Sequence, residues 1–272
     1  ELWRINTTST GINLTPSFGY FYSYESPNQH GVLPNGLLIA QANVAGSGTT
    51  WRAYDPRTGV LTGMTITNIP ATGGTTVSVV NVAGPSGEYL KYVLSNYGTA
   101  AAPKYYLAQW NSSRVFGGGT GLSPSNWYSG TVNASATSAF DWNVSLPSLT
   151  TTGWGIGVAN LNIIPMAAYD DMIVLTQGSF GGHPGDFGVA VTIDPANVTA
   201  ISLKPLSVGT VMWSQTYAPA PGNNSRLIVD WDPSSRVFVF ADKESIKHYG
   251  YSLDDGRQIW EADKPTDSTI DY

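Results

Sequence analysis

The 272-residue sequence contains no cysteine and few charged residues, since Lys, Arg, Asp and Glu make up only 12% of it. Without cysteine, the chain has no disulfide bond, no thiol nucleophile and no zinc site built on thiolate ligands. An average soluble domain carries roughly a quarter charged residues. The polarity of this surface must therefore come mainly from serine, threonine and asparagine, together with the 30 glycines.

Basic charge and long apolar runs are also scarce. The chain has 13 basic against 19 acidic residues, for a formal net charge of −6, whereas nucleic-acid-binding domains usually present a basic surface. The most apolar stretch, residues 155–168, is interrupted by asparagine and proline, and a membrane-spanning helix needs about 18 continuous apolar residues. We therefore expect neither a nucleic-acid partner nor a membrane-spanning segment.

The sequence does contain a series of short apolar runs separated by turn residues. Runs such as 76–80, 90–94 and 237–240 are rich in β-branched or aromatic residues and are bounded by Gly, Pro, Asn or Asp. Such runs, spaced at about ten residues, are typical of antiparallel all-β proteins. Because the run 237–240 is apolar at every position, we expect stacked sheets that cover both faces of a strand.

One local pattern occurs twice. Tyr54-Asp55-Pro56-Arg57-Thr58-Gly59-Val60-Leu61 and Tyr251-Ser252-Leu253-Asp254-Asp255-Gly256-Arg257-Gln258-Ile259-Trp260 both place an aromatic residue before an Asp-containing turn that ends in glycine. This pattern predicts a tight hairpin in which Asp accepts turn hydrogen bonds, glycine supplies a positive φ and the final Trp packs between sheets. Residues 191–213 form a degenerate copy of it. A second similarity links residues 109–116 with residues 230–238.

These residues resemble the PQQ-like β-propeller repeat, in which each blade carries Ala-x-Asp-x-x-Thr-Gly-x-x-x-Trp. Residues 250–260 match best, and residues 51–59 keep the turn but have no Trp after it. The segments 87–92, 110–113 and 240–251 are also similar to predicted PQQ-like surface proteins of uncultured archaea. The resemblance implies an all-β fold of four-stranded antiparallel blades arranged around an axis.

The repeat ends give an expected blade count. They are the residues at which the pattern of a blade finishes, namely Trp3, Met64, Trp142, Trp213 and Trp260. With about forty residues to a blade, we expect residues 1–272 to form a single β-propeller of roughly four to five blades with long insertions. The chain begins inside one motif and ends near another strand, so we expect an incomplete propeller or a segment of a larger one. The alternative is a small propeller closed by its own termini.

Asn-x-Ser/Thr sequons predict the cellular location. They occur at seven positions, which are Asn6, Asn13, Asn111, Asn133, Asn143, Asn197 and Asn223. Because a surface with little charge needs another source of solubility, we expect N-glycosylation at these sites and an extracellular or cell-surface protein. The alternative is that β loops rich in Thr and Asn produce sequons by chance.

The resemblance also raises the question of catalysis. Quinone-dependent dehydrogenases with this fold use adjacent cysteines, a metal held by acidic residues, a catalytic Asp and a stacking Trp, and this chain has no cysteine. Two acidic pairs, Asp170-Asp171 and Asp254-Asp255, are interpreted as turn residues. Asp230 and Asp232 alternate on a strand and leave a calcium site as an alternative. We expect no catalytic, cofactor-binding or metal-binding residues, and no cofactor.

The histidines and the aromatic residues are the remaining candidates for a site. His30, His183 and His248 lack the spacing of a metal motif, and residues 178–186 place Ser, His and Asp close together without a Gly-x-Ser-x-Gly elbow. The aromatic stripe at residues 20–24 predicts either stacking on sugars or a partner chain, or packing between blades.

We therefore expect a non-enzymatic structural or interaction module of a cell-surface or filament-type protein. Its partners would be other protein chains or copies of itself, which bind at open blade edges, and glycans are a further candidate. The alternatives are a quinone- or calcium-dependent oxidoreductase and a carbohydrate-binding or carbohydrate-active propeller.

Overall fold

The structure of the protein is a computed structural model. It describes residues 3–4, 16–20, 37–85, 87–99, 102–117, 130–147, 161–177, 196–218, 220–222, 226–242 and 245–263. Within these residues the regular secondary structure is β-strand apart from two short helices, and neither helix has the length and apolar character needed to cross a membrane.

Four sheets make up the described part of the fold, and each contains four strands that lie side by side in the order of the chain. Blade 1 contains β1 (Pro16–Tyr20), β2 (Leu37–Val44), β3 (Gly48–Tyr54) and β4 (Leu61–Thr67). Blade 2 contains β5 (Thr76–Ala83), β6 (Tyr89–Asn96), β7 (Tyr105–Asn111) and β9 (Phe140–Ser145), and β8 (Thr131–Asn133) joins blade 1 as a fifth strand. Blade 3 contains β10 (Leu161–Ala168), β11 (Met172–Gln177), β12 (Ala196–Ser202) and β13 (Val211–Tyr217). Blade 4 contains β14 (Arg226–Asp232), β15 (Val237–Asp242), β16 (Lys247–Ser252) and β17 (Gln258–Asp263).

This arrangement confirms the expected fold class, an all-β chain built from four-stranded antiparallel β-propeller blades. The chain divides into two compact units, one made of Glu1–Ser95 and Tyr106–Asn143, the other of Asn96–Tyr105 and Val144–Tyr272. Each unit has its own core. The expected total of blades and the closure of the propeller stay predictions.

The core of the first unit is formed where blades 1 and 2 meet. Trp51 of β3 lies edge-on to Trp110 of β7, with ring centroids 5.5 Å apart, and edge-on to Tyr89 of β6 at the same distance. Met64 and Val93 are buried in the same cluster. Aromatic pairs in this geometry add to the stability gained from burial alone.

The connection between β7 and β9 covers the outer edge of blade 1. After a short helix, α1 (Ser112–Gly117), it forms β8, which pairs in parallel with β4. The Ala134 N–H donates to the Thr67 carbonyl (2.8 Å), and Trp110 Nε1 donates to the Ala134 carbonyl (3.0 Å). Residues 65–67 of β4, which pair with β8, therefore have no free backbone groups to offer another chain.

The core of the second unit is an aromatic cluster between blades 3 and 4. Tyr217 of β13 lies edge-on to Phe240 and Tyr251 of blade 4, with ring centroids 5.1 and 4.9 Å apart. Trp213 stacks on Phe238 at 6.0 Å. Tyr217 Oη also donates to the Gly256 carbonyl at 2.6 Å, so the phenol is satisfied although it is buried.

The repeat ends fall at one structural position. Met64, Trp142, Trp213 and Trp260 lie in β4, β9, β13 and β17, the fourth strand of each of the four blades. The repeat pattern therefore located the fourth strand of every described blade. Trp3 lies outside the described strands.

The second sequence similarity does not mark equivalent positions. Residues 109–116 run from the third strand of blade 2 into α1, whereas residues 230–238 run from the first strand of blade 4 into the second. What the two segments share is a local turn, since Asn111 Oδ1 accepts the Ser113 N–H (2.9 Å) and Asp232 Oδ1 accepts the Ser234 N–H (2.8 Å). Such turns form wherever Asn or Asp is followed by suitable residues, irrespective of the blade.

The two hairpins of the repeat have the predicted turn, with one difference. In blade 1, Asp55 Oδ1 accepts the N–H groups of Arg57 (2.8 Å) and Thr58 (3.1 Å). In blade 4 the residue that holds the same backbone position is Ser252, whose Oγ accepts the Asp254 N–H at 3.1 Å. The glycine that ends each turn has a positive φ, 68° in blade 1 and 74° in blade 4.

Substitution at Gly256 tests how much the glycine contributes. Alanine there would have a strained φ of 74°, and its Cβ would lie 2.8 Å from the Trp213 ring. We expect Gly256→Ala to lower the free energy of unfolding by about 2–4 kcal/mol, from backbone strain and overpacking together. The measurement is unfolding by urea, with tryptophan fluorescence as the signal.

Gly222→Ala is the matched control for that substitution. Gly222 has a φ of 70°, and a Cβ there would have nothing within 4 Å, so the variant has the backbone strain without the clash. We expect a loss of about 1 kcal/mol. Equal losses in the two variants would show that the contact with Trp213 adds nothing.

Candidate functional site

The fourth strand of blade 3 is joined to blade 4 by a tryptophan that docks on a turn. Trp213 Nε1 donates to the Leu253 carbonyl at 2.7 Å, and the bond is buried. The indole ring lies over Gly256, where no side chain would fit. We call residues 253–256, with their carbonyl acceptor and their glycine, the docking turn of blade 4.

Trp3 makes the same contact with blade 1. Its Nε1 donates to the Pro56 carbonyl at 2.8 Å, and its ring lies over Gly59, where a Cβ would come within 2.5 Å of the ring. In both blades the acceptor carbonyl and the glycine are three positions apart, so residues 56–59 form the docking turn of blade 1. Two tryptophans therefore use one contact geometry.

Trp260 is the structural counterpart of Trp213 in blade 4. The strand register skips Met212, directly before Trp213, and it skips Ile259, directly before Trp260. Each tryptophan also follows the glycine of its own turn by four positions. A bulge at the same place turns the following side chain in the same direction. Trp260 is therefore positioned as a third docking tryptophan.

The environment of Trp260 differs from that of Trp213. Its ring lies over Gly250 of β16, within its own blade, and 39% of the residue is exposed. Ile259 is 53% exposed, and all six residues of β17 are exposed. In the described part of the chain, Trp260 Nε1 has no hydrogen bond. This exposed strand with its apolar pair is the candidate functional site.

The exposed strand β17 carries acidic charge. Lys247 of β16 lies 2.5 Å from Glu261 and 3.8 Å from Asp263, both on β17. The hydrogen bond and charge of Glu261 raise the pKa of Lys247 above its usual value. Because one lysine serves two carboxylates, β17 keeps an excess of negative charge. Charged residues on an open edge strand also discourage unspecific pairing with other strands.

Two of the predicted glycosylation sites have exposed side chains. Asn143 lies in β9, the outer strand of blade 2, and Asn133 lies at the end of β8. Asn133 Oδ1 accepts the N–H and the hydroxyl of Ser135, the third residue of its own sequon (3.0 and 2.8 Å). An exposed side chain leaves room for a glycan on its Nδ2.

Two further sequon asparagines are enclosed by neighbours. Asn111 is half-buried, and its Nδ2 donates to Asp141 at 2.8 Å. Asn197 is only 5% exposed, and its Oδ1 accepts the hydroxyl of Thr216 on the adjacent strand. Asn6, Asn13 and Asn223 lie outside the described residues.

The acidic pair Asp170-Asp171 lies in the turn between β10 and β11, as expected for turn residues. Asp170 has a φ of 52°, and Asp171 forms an ion pair with Arg236 of blade 4. Arg236 also contacts Asp254 at 2.7 Å, and Lys204 lies 3.9 Å from Asp171. Asp171 and Asp254 therefore connect the turns of blades 3 and 4 through Arg236.

The carboxylates considered for calcium are engaged by their own chain. Asp232 accepts the Ser234 N–H and the Ser235 hydroxyl, at 2.8 and 2.6 Å, and Asp230 accepts the Trp231 N–H at 2.8 Å. The bond from Ser235 is the largest factor that lowers the pKa of Asp232. Across the described ranges, no group of three His, Asp or Glu residues has the geometry to hold a metal ion.

The remaining sequence candidates are only partly placed. His248 is half-buried in β16, opposite Ala241 and Ala262. His30, His183 and the segment 178–186 lie outside the described residues, as does most of the aromatic stripe; its first residue, Tyr20, ends β1.

A buried ion pair was not visible in the sequence. Arg226 and Asp242 are opposite each other on β14 and β15, and the guanidinium holds the carboxylate by two bonds of 2.7 and 2.9 Å. The Asp242 side chain is fully buried. Burial lowers the pKa of Arg226, and the hydrogen bond and charge of Asp242 outweigh it, so the pKa rises.

The sequence also offered no indication of a buried lysine. Lys91 of β6 is 6% exposed, donates to Asn81 Oδ1 at 3.0 Å and has its Nζ 5.5 Å from the centre of the Tyr89 ring. Burial lowers the pKa of Lys91 from 10.5 to about 8. No signal in the sequence separates this lysine from an exposed one, because it follows from strand register alone.

The Asp242→Asn variant tests the buried ion pair. An amide cannot balance the guanidinium charge, so we expect the free energy of unfolding to fall by about 3–5 kcal/mol. Asp263→Asn is the control, since Asp263 is mostly exposed and 3.8 Å from its lysine, and should cost less than about 1 kcal/mol. Urea unfolding measures both, and a loss at Asp242 no larger than at Asp263 would contradict the interpretation.

Lys91→Met tests the buried lysine through its pH dependence. The folded state loses the Lys91 proton near pH 8 and the unfolded state near 10.5, so the cost of burying the charge is full below pH 8 and disappears as the pH rises to 10.5. We expect Lys91→Met to be more stable than wild type at pH 7, by about 2–3 kcal/mol. The difference should shrink between pH 8 and 10.5, as measured by urea unfolding.

The control for this pH series is Lys104→Met, because Lys104 is exposed. We expect the stability difference of this variant from wild type to be small and constant between pH 7 and 10.5. A constant difference for Lys91→Met over the same range would show that the amine is not buried in its charged form.

Comparisons with known proteins complete the description. No protein-family model matches the chain, and no curated protein matches it. Among solved structures, the chain is similar to the crystal structure of BamB from Moraxella catarrhalis, with 11% sequence identity and a TM-score of 0.30. The match covers 83% of this chain and 48% of the other, so the chain spans about half the length of that protein.

Proposed function

We propose that the chain is an extracellular, N-glycosylated β-propeller module that binds other protein chains in a cell-surface or filament-type assembly and has no catalytic activity of its own. One observation carries the proposal: β17 is an edge strand whose residues are all exposed, and its Trp260 has the position of a tryptophan that docks on the next blade. Exposed aromatic and aliphatic residues of this kind are typical of protein interfaces.

The surface chemistry supports the extracellular part of the proposal. Asn133 and Asn143 are exposed, and only 12% of the chain is charged, so glycans would supply hydration that charged side chains do not. The similarity of residues 87–92, 110–113 and 240–251 to predicted archaeal surface proteins points in the same direction.

An assembly test addresses the proposal directly. The protein is extracted from its own cells under native conditions, and its size is compared for wild type, Ile259→Asp and Leu206→Asp. We expect wild type to elute as a complex and Ile259→Asp to elute at lower mass, because a carboxylate would be placed within the apolar contact. Leu206 is fully exposed outside β17, and its substitution should change nothing. Elution of Ile259→Asp with wild type would contradict the proposal.

Glycan mapping tests the location. In protein from the native source, we expect glycopeptides that contain Asn143 and Asn133, and unmodified peptides for Asn197, because the Asn197 side chain is enclosed in the sheet. The measurement is intact mass followed by peptide mass spectrometry, with Asn143→Gln to assign the mass of one glycan. An intact mass equal to the mass of the polypeptide would contradict the proposal.

A further inference from the structure

We propose that Trp260 of one copy of the chain docks on residues 56–59 of a second copy and there replaces Trp3, so that copies join head to tail. This inference rests on the proposed function and names the partner that the exposed strand takes. Two observations carry it. Trp260 of blade 4 has the position of a docking tryptophan but does not lie on a docking turn, and the docking turn of blade 1 is filled by Trp3, a residue outside the described strands.

The two filled contacts define what Trp260 would bind. A partner must offer a backbone carbonyl to the indole N–H and, three positions later, a glycine over which the ring can lie. The described residues contain two turns on which a tryptophan docks in this way. The turn at 253–256 holds Trp213, and the turn at 56–59 holds Trp3.

Trp213 is held by much more than its own ring. It belongs to β13, which pairs along its length with β12. Two neighbours on the same strand also reach the docking turn, since Gln215 Nε2 donates to the Asp255 carbonyl (3.2 Å) and Tyr217 Oη donates to the Gly256 carbonyl (2.6 Å). A second tryptophan could replace Trp213 only if β13 separated from the docking turn of blade 4 as a whole.

Trp3 has a weaker hold on its turn. In the described part of the chain, residues 3–4 are not paired with any strand, and Trp3 is attached by one hydrogen bond and the contact of its ring with Gly59. Because residues 3–4 belong to no described strand, release of Trp3 breaks none of the described strand pairings. Residues 56–59 are therefore the docking turn that can exchange its tryptophan.

Trp260 is prepared to take that place. Strand pairing with β16 fixes its backbone, and the bulge at Ile259 directs it as the corresponding bulge directs Trp213. Its ring is already partly exposed, so docking requires no unfolding. A residue whose backbone is already fixed binds at a lower entropic cost than one on a mobile segment.

The surfaces beside the two tryptophan positions are complementary. Arg57 is exposed within the docking turn of blade 1 and stays there when Trp3 leaves, whereas β17 carries Glu261 and Asp263. Val60 follows the docking turn directly and is 62% exposed, and it can cover the exposed Ile259. The exchange would thus pair opposite charges and bury apolar surface that Trp3 leaves open.

The contact joins two different surfaces of the chain. A heterologous contact of this kind leaves one undocked Trp260 at one end of every complex and one docking turn that still holds its own Trp3 at the other end. The contact therefore continues into a ring or an open filament. The predicted assembly therefore grows with concentration and has no dimer limit unless a ring closes.

The test measures self-association of the purified full-length chain by sedimentation velocity over a range of concentrations. Trp3→Ala empties the docking turn, and we expect it to strengthen association at least tenfold. Trp260→Ala removes the docking tryptophan and should weaken association at least tenfold, alone or combined with Trp3→Ala. Trp3→Phe removes the indole hydrogen bond and part of the ring contact, and it should act in the same direction as Trp3→Ala, with a smaller effect and less risk to folding.

A matched pair of glycine variants identifies the acceptor. In the Trp3→Ala background, Gly59→Ala places a Cβ where the ring must lie and should abolish the gain in association. Gly46→Ala is its control, because Gly46 has a φ of 77° and a Cβ there would have nothing within 4 Å. Thermal unfolding of each variant verifies that it is folded.

Three outcomes would overturn the inference. They are a Trp3→Ala chain that stays monomeric, association that is unaffected by Trp260→Ala, and association that persists with Gly59→Ala. If the purified chain stays monomeric while the native complex still depends on Ile259, the partner is another protein chain, and the proposed function stands without this inference. If neither depends on β17, both fail.

Discussion

The contact on which this architecture depends is an indole ring that lies on a glycine. Only glycine lets the ring approach the backbone of the turn, and its positive φ is the conformation in which that turn closes. The indole N–H then reaches a carbonyl three residues earlier, so that the buried polar group is satisfied. Trp213 and Trp3 meet both conditions in the same way, which makes the contact a property of the repeat.

The contact has a direction in blades 3 and 4. Trp213 leaves from the fourth strand of blade 3 and reaches the docking turn of blade 4, and Trp260 has the corresponding position on the fourth strand of blade 4. The docking turn of blade 4 is therefore filled by Trp213, while Trp260 stays exposed. The ring packs over Gly250 of its own strand pair, and the charges of Lys247 and Glu261 keep the edge soluble. An exposed tryptophan is thus tolerated without disturbing the blade.

The sequence predicted features that depend on neighbouring residues and missed those that depend on register. The distance from a turn glycine to its tryptophan is local, so the repeat ends located the fourth strand of each described blade. Arg226 and Asp242 are 16 positions apart and meet only because β14 and β15 pair in one register. Lys91 is buried for the same kind of reason. The short β8 was not predicted, since three residues carry too little periodicity.

Exchange of one tryptophan for another changes little at the docking turn itself, because the ring, the glycine and the hydrogen bond are the same before and after. The net free energy of the proposed assembly must therefore come from the surroundings of the ring. Covering Ile259 and Val60 contributes about 1–3 kcal/mol, and ion pairs between exposed side chains add less than about 1 kcal/mol each. Assembly driven by such terms is weak for a single contact and responds to concentration, to salt and to the length of chain that holds Trp3 in place. A surface with few charges suits this arrangement, because Arg57 at the docking turn and the carboxylates Glu261 and Asp263 beside Trp260 can then determine the orientation of the contact.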